Sequence, residues 1–462
     1  MDTVIEKIIS LCKRRGFLYP SSDIYGGLAN TWDFGHYGTL LKNNLRDWWW
    51  KRFVLERSDM VGIDASTILS PKVWQASGHV TGFNDALVDC RKCKNRTRAD
   101  HLIESAFPEK KVEGLPVEEL TKIIKENKLK CPKCGSTDLT DVRKFNLLFE
   151  THIGIVDETK SLAYLRGELA QGIFLNFKNV LDTMRVRIPF GIAQQGKAFR
   201  NEITMGQSAF RTLEFDLMEF EYFIESTQWE KTYEYWRKEM WQWAKDLGIA
   251  ESKLRWREHE AFERSHYSKK TMDIEYQYPF GWKEMWGLAY RTDFDLSNHT
   301  KHSGVDLKYK DPKTGEQYIP HVIEPTFGLS RLTLTMLVDS YKEETVKDKQ
   351  RIYLKLNPKL APVKVALFPL QKDEKLQKIA RDLYDGLNKQ FVTEFDDAGN
   401  IGKMYRRQDE IGTPFCVTID YQTKEDDTVT VRDRDTMNQE RVSVSKLKEY
   451  LSSKLLFPVD SG

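Results

Sequence analysis

Residues 198–223, AFRNEITMGQSAFRTLEFDLMEFEYF, place Arg200, Glu202, Arg211, Glu214, Glu219 and Glu221 inside two runs that otherwise read as β-strands. In KAFRNEITM the two-residue period of a strand puts Phe199 and Ile203 on one face and Arg200 and Glu202 on the other. In RTLEFDLMEFEYF it puts Met218, Phe220 and Tyr222 on one face and Phe215, Glu219 and Glu221 on the opposite one. Each strand would bury one face and line a cavity with the other, although the alternation also fits two solvated amphipathic strands. TMGQSAF, between them, reads as a hairpin loop. An arginine offers a planar, permanently charged fork that grips a phosphate bidentately. A carboxylate two residues on can accept from an exocyclic amine, and Phe215 can stack on a purine. Together they describe an ATP clamp built without a glycine-rich loop, and the sequence contains neither G-x-x-x-x-G-K-[ST] nor G-x-G-x-x-G.

Four of the six cysteines form a second constellation, Cys90-x-x-Cys93 and Cys131-x-x-Cys134. Thiolates so spaced can converge on one tetrahedral Zn²⁺ at about 2.3 Å, which predicts a single structural four-cysteine site; the alternative is two unrelated pairs of free thiols. Cys12 and Cys416 stand alone and read as buried or incidental. Two patterns are decoys. THIGI (151–155) lacks the last histidine of a HIGH motif, and HEAFERSH (259–266) spaces its histidines too widely for H-E-x-x-H.

The elements that must hold these groups suggest an α+β architecture. HYGTLLKNNLRDWWWKRFVLER (36–57) carries Tyr37, Leu41, Leu45, Trp48, Trp49 and Phe53 close to helical spacing, predicting one long amphipathic helix. Pro71 marks the end or edge of a strand. A charged helix around VEELTKIIKENKLK is bracketed by the cysteine pairs as an insertion would be. AYLRG, PFGIAQQG, KAFRNEIT and TLEFDLMEFEYF read as strands, followed by a Trp-rich helix around 227–247, and strands in runs favour an antiparallel sheet. Beyond NPKLAPVKVALFPL, strands and helices alternate as in a separate α/β domain. With 462 residues there is room for two or three domains, and a net charge of +2 means that a nucleic-acid partner must be met by a local patch. No stretch approaches the roughly 20 apolar residues of a membrane span, and the N-terminus lacks a signal-peptide core, so a cytoplasmic protein is expected.

FRNE, a loop, then FRTLEF resembles motif 2 of class II aminoacyl-tRNA synthetases. IEPTFGLSRLTLTMLVDSY (323–341) resembles motif 3, and the helix at 36–57 with the strand ending in Pro71 resembles motif 1. SDIYGGLANTWDFG, PKVWQASGH, AQGIFLNFKNV, PFGWKEMWG, RTDFDLSNH and RRQDEIGTPFCVT, in that order, are similar to the homodimeric glycyl-tRNA synthetase family over nearly the whole chain. The resemblance implies a class II antiparallel catalytic sheet flanked by helices, with a zinc-knuckle insertion and a C-terminal α/β anticodon-binding domain. It also implies roles. Arg200 would hold the α-phosphate of ATP, Glu202 the adenine amine, Phe215 the adenine face and Arg331 the γ-phosphate, with Arg200 and Arg331 catalytic. Glu284 would hold Mg²⁺. Asn201, Phe210, Arg211, Thr212, Leu213, Glu214, Met285, Gly328, Leu329 and Ser330 would complete the ATP site. Glycine would be met by Arg98, Glu168, Phe215, Glu219, Arg291, Glu324, Thr326 and Gly328. The sequence departs from the family at Gly167 and Leu169 (LRGEL for LRPET), at Leu213, at Thr326 (EPT for EPS) and at Ser330.

The implied partners are tRNA(Gly), ATP, glycine and a second copy of the chain, with no membrane. The expected divisions are 1–88 and 146–357 for the catalytic core, 89–145 for the insertion and 358–462 for the anticodon-binding domain. The aromatic stripe of 36–57 is expected at a subunit interface. Lys403, Arg406 and Arg407 beside Tyr405 are expected to meet anticodon phosphates and stack a base, against the alternative of a solvated charged loop. The competing readings are a non-catalytic nucleic-acid-binding paralogue and a class IIa synthetase for another amino acid.

Overall fold

The computed structural model describes residues 3–112, 114–156, 160–202 and 208–455. Helix α1 (Val4–Arg15) opens on a capping box between Thr3 and Glu6. The 36–57 periodicity is realised as α2 (His36–Trp50), which runs on as a π-turn over Lys51–Leu55. Its stripe is covered by the chain itself. The Trp49 and Phe53 rings lie 6.1 and 5.9 Å from Phe220, and 5.7 and 5.2 Å from Phe327, in the largest core. The expected interface stripe is therefore interior, because strands of the central sheet cover it. The indole N–H groups of Trp49, Trp74, Trp236, Trp243 and Trp286 are buried without a hydrogen-bond partner.

Past β1 (Met60–Gly62), a two-residue strand ends at Leu69 and Pro71 begins α3 (Pro71–Ala76) rather than only closing a strand. A proline loses nothing in a first helical turn, and Ser70 caps it. α4 (His79–Gly82) follows, and β2 (Asn84–Asp89) leads into the first cysteine pair. Among the described residues two helices, not one, separate the cysteine pairs: α5 (Ala99–Ala106) and α6 (Val117–Glu126) share a small core of Leu102, Ile103, Leu120 and Ile124.

The central sheet is built from β3 (Phe190–Phe199), β4 (Glu214–Ile224), β5 (Leu254–Glu258), β6 (Lys270–Tyr278), β7 (Gly281–Thr292) and β8 (His321–Gly328), in the order β5-β6-β7-β8-β4-β3-β1. All pairings are antiparallel except β3 with β1. PFGIAQQG and KAFRNEIT form one strand that stops at Phe199, so Arg200 and Glu202 lie beyond its end, not on a strand face. Ile203 and the first part of the expected hairpin loop lie outside the described residues. Met218, Phe220 and Tyr222 face the core with α2 and α8 (Trp229–Asp246), as the period requires. The opposite face is roofed by α7 (Ala170–Met184) and α9 (Phe294–Ser303), packed through Phe174, Phe177 and Phe223, with α10 (Leu329–Ser340) leaving the end of β8.

The last segment holds a five-stranded sheet in the order Thr393–Phe395, Val365–Pro369, Phe415–Ile419, Thr428–Asp433, Gln439–Ser443. Its first three strands are parallel, as the alternation predicts. α11 (Glu374–Leu387), α12 (Ile401–Ile411) and α13 (Val444–Leu455) cover it. α12 and the strand Thr393–Phe395 dock on the N-terminal helices: Arg15 Nε lies 2.6 Å from Glu410 of α12, and Tyr37 hydrogen-bonds Glu394 of the strand. Arg351 Nε pairs with Asp409 at 2.8 Å. No helix of the described residues is long and apolar enough to cross a membrane.

Candidate active site

The ends of β3 and β4 meet the start of α10 around a cleft of about 100 Å³. Arg200, Glu202, Phe210, Arg211, Thr212, Phe215, Glu284, Met285, Gly328, Ser330 and Arg331 line it. Arg200 is held from behind: its Nε donates to Gly167 O at 3.2 Å, and its guanidinium lies 5.1 and 5.4 Å from the Phe83 and Phe215 rings. Arg331 comes from the opposite wall, over Phe210 at 4.6 Å, with Nη1 3.2 Å from the Glu284 carboxylate. Burial opposes the charge of Glu284, but Arg331 outweighs it and keeps that carboxyl below its usual range. Glu202 Oε2 and Arg211 Nη1, 3.8 Å apart, are buried without a hydrogen-bond partner. Asn201, Leu213, Glu214 and Leu329 do not line this cleft. Asn201 N donates to Leu147 O, Leu213 O accepts from Arg200 N, and Glu214 pairs with Lys197. A Cβ on Gly328 would meet only ordinary contacts, Arg331 Cβ at 3.5 Å, so the fold itself does not require a glycine there.

A second, polar cavity shares Arg200, Leu217, Glu284 and Thr326 with the first and continues to Glu168, Glu219, Glu324 and Tyr267. Strand register brings these together, because Glu219 sits opposite Thr326 and Glu324 opposite Ala289. Arg291 enters from a β-bulge between Tyr290 and Thr292, a device that re-aims one side chain out of the strand alternation. Fully buried, it reaches Asp295 at 2.8 Å, Glu324 at 2.8 Å and Glu168 at 3.4 Å, and its guanidinium carbon is 3.7 Å from the centre of the Tyr267 ring. It thus forms the floor of the cavity rather than its wall.

Five carboxyls crowd around this one guanidinium, and they do not share it evenly. Burial raises Glu168, but His79 and Arg291 pull it well below the ordinary range. Burial and the neighbouring Glu168 charge push Glu219 up to about 7. Burial and adjacent carboxylates also raise Glu324 and Glu221 well above the ordinary range. Glu221 lines neither cavity, is fully buried, and neither of its oxygens has a hydrogen-bond partner. Asp295 takes two of the Arg291 nitrogens.

Arg98 is not brought to either cavity. It is 8 % exposed and held between Asp85, at 3.1 Å, and Asp100, because β2 and the start of α5 bury it in the cysteine-bearing segment. Tyr405 is not free to stack a base either. Its ring packs on Phe368 and under Arg432, its hydroxyl meets Thr418, and Arg406 and Arg407 pair with Glu410 and Asp396. Sequence reasoning gave no role to His79, Gln171, Tyr267, Asp295, His259 and Asp273. The blocks PKVWQASGH, AQGIFLNFKNV and RTDFDLSNH contain three of them, so the signal was present without a geometry to read it. His259 Nε2 meets Asp273 at 2.6 Å, and burial with the nearby Glu284 pushes Asp273 up to about 6.

Away from the clefts, Cys90, Cys93, Cys131 and Cys134 have sulfurs all within 4.8 Å of one another. The Cys90–Cys134 and Cys93–Cys131 pairs are 3.6 Å apart, close to the ~3.8 Å edge of a tetrahedron with 2.3 Å metal–sulfur bonds. The two turns are equivalent. Lys94 N donates to Cys90 O and Gly135 N to Cys131 O, both at 2.9 Å, with Lys94 and Gly135 in the left-handed region. Four such thiols can bind a metal ion.

A cleft on an antiparallel sheet is thus joined to a carboxylate-lined cavity, with an α/β domain appended, and the comparisons with known proteins make the chain an aminoacyl-tRNA ligase. Residues 364–454 match the family model described as "Anticodon binding domain". The chain is 51% identical to the glycine–tRNA ligase of Caldanaerobacter subterraneus subsp. tengcongensis over 461 residues, 99% of this chain and 100% of the relative. It is 51% identical to that of Geobacillus thermodenitrificans over 462 residues (99% of each) and 50% identical to that of Alkaliphilus oremlandii over 461 residues (99% of each). The chain belongs to the glycine–tRNA ligase family.

Proposed function

We infer that the chain activates glycine with ATP and passes it to the 3′ end of tRNA(Gly), and that the two joined cavities are where it does so. The observation that carries this is the shared wall: Arg200 and Glu284 belong to both cavities, so a nucleotide in one and an amino acid in the other would meet between them. The glycine carboxylate attacks the α-phosphorus, pyrophosphate leaves, and the terminal ribose hydroxyl of the tRNA then takes the glycyl group. Neither step needs a protein nucleophile. Arg200 would neutralise charge developing on the α-phosphate and Arg331 the departing diphosphate, which is electrostatic preorganisation. The unpartnered Glu202 oxygen and Arg211 nitrogen would be satisfied by the nucleotide. Glu284, its side chain half exposed beside Arg331, fits a magnesium ion that keeps most of its ligands from phosphate and water.

Glu168, Glu219 and Glu324 would take the ammonium group, and Thr326 would crowd the α-carbon. Every competing amino acid is larger than glycine, so a closed pocket rejects by clash and needs no editing site. The four cysteines would hold one structural Zn²⁺ within an insertion spanning 89–145, inside a catalytic core of 1–88 and 146–357, with 358–462 binding the anticodon stem-loop in the cytoplasm. A homodimer rests on the resemblance alone, since the 36–57 stripe no longer argues for it; light scattering decides it.

The test is ATP–pyrophosphate exchange with each amino acid in turn. Exchange that depends on glycine and is at background with alanine or serine supports the reading. Exchange driven by proline, threonine, serine or histidine instead would place the chain with another specificity.

A further inference from the structure

Behind the carboxylate-lined cavity a buried chain of polar groups ends on Glu168. His79 is 1 % exposed and Ser77 fully buried, and Ser77 Oγ lies 2.8 Å from His79 Nδ1. On the far side of the ring, His79 Nε2 lies 3.3 Å from Glu168 Oε2. The other Glu168 oxygen accepts from Gln171 Nε2 at 2.9 Å, which also donates to Asp295 Oδ1 at 2.9 Å. The imidazole cannot turn. Trp74 and Phe83 meet it at ring distances of 5.2 and 5.3 Å, and it opens α4 directly after Gly78. Gly78 sits at φ +79, and a Cβ there would come within 2.9 Å of His266 Nε2. Only glycine lets the chain turn so tightly before the imidazole.

The proton arrangement follows from chemistry. A carboxylate only accepts, so the hydrogen of His79 must sit on Nε2, whichever way the serine hydroxyl is turned. The shorter Ser77 contact fixes Nδ1, as second partners fix ligand imidazoles elsewhere. Glu168 is therefore pinned at both oxygens by groups that never touch the cavity.

We propose that His79 is a positioning residue for amino-acid recognition: through Nε2–H it holds Glu168 aimed at the glycine ammonium, with Ser77 anchoring the other side of the ring. The inference rests on Glu168 being an ammonium contact. It assigns His79 no contact with substrate and no part in ATP binding.

The test is pyrophosphate exchange by the full-length enzyme, with KM measured separately for glycine and ATP. His79→Leu should raise the glycine KM by about tenfold to a hundredfold, the worth of a hydrogen bond to a charged group, and leave the ATP KM within about twofold. His79→Gln, whose amide can donate where Nε2 does, should recover most of the loss. An unchanged glycine KM in His79→Leu, equal rises for glycine and ATP, or a Gln variant no better than Leu would overturn it. Should His79→Leu not fold, His79→Phe carries the test, because an aromatic ring remains that has no N–H to give Glu168, and an unchanged glycine KM there overturns the proposal. Glu168→Gln separates the two levels of the argument. If it leaves glycine dependence untouched the pocket reading fails, whereas if it weakens glycine while His79→Leu does not, only the positioning role fails.

Discussion

Arg331 and Glu221 illustrate two ways in which a charged residue type is necessary but not sufficient information. Arg331 was legible through the resemblance of 323–341 to motif 3, and from the first turn of α10 it lines the cleft. Arg331→Ala should slow glycine-dependent exchange about 10²–10³-fold even at saturating glycine, as loss of one preorganised donor does, with the deficit in kcat rather than in the glycine KM. Glu221 lies on the same strand face as Glu219, yet only Glu219 reaches the cavity. Burial depth decides between them, and a two-residue period cannot encode it. Its carboxyl titrates well above its unfolded value of about 4.3, so its favourable contribution is present below that pH and is lost as pH rises through the folded value. Glu221→Gln cannot ionise. Its Tm should exceed that of the wild type by a margin that widens from about pH 5 to about pH 8. Parallel Tm curves would mean that Glu221 ionises normally in the fold.

Among elements, those with long periodic patterns were readable and those whose shape comes from pairing were not. α2 and the strand 214–224 announce themselves by spacing. The β5–β6–β7 meander does not, because LRWRE and GWKEMW mix charge and aromatic without a clean alternation, and their burial is supplied by β8 and α8. The bulge that frees Arg291 is similarly invisible, since an extra residue shows itself only against a partner strand. Arg98 shows the opposite failure, a residue matched to a role by its neighbours in sequence and then held elsewhere by Asp85 and Asp100. The two cysteine turns were legible one by one. Each turn is local, and only the convergence of the two needed the fold. Cys131→Ser, or prolonged chelation, should release one metal ion per chain and make the 99–126 helices protease-sensitive, because their core is small and separate. Metal analysis and limited proteolysis check it; an intact segment in metal-free protein would count against a structural metal.

For the whole molecule, composition and texture put a division near the last alternating segment, and 364–454 is the part that matches an anticodon-binding model. What remained illegible was how that segment sits, since contacts between distant residues leave no periodic trace. Glu410, almost fully buried, is shared by Arg14, Arg15 and Arg406 across that junction. Removing a buried carboxylate from such a cluster leaves like charges facing one another. Because Arg14 and Arg406 are themselves more than half exposed, water offsets part of the loss. Glu410→Ala should cost about 1–3 kcal/mol of stability and impair tRNA charging more than pyrophosphate exchange. Charging and exchange falling together would mean that the junction also holds the catalytic sheet.

The five indoles whose buried N–H groups have no hydrogen-bond partner give the protein an intrinsic optical label. An excited indole lowers its energy by reorienting nearby dipoles, and dry surroundings deny it that relaxation, so these rings should emit at the short-wavelength end of the tryptophan range. They sit on α2, α3, α8 and β7, around and beside the central sheet, which makes a red shift of the emission a report on water reaching those layers. Loosening of the C-terminal segment alone would leave the colour unchanged.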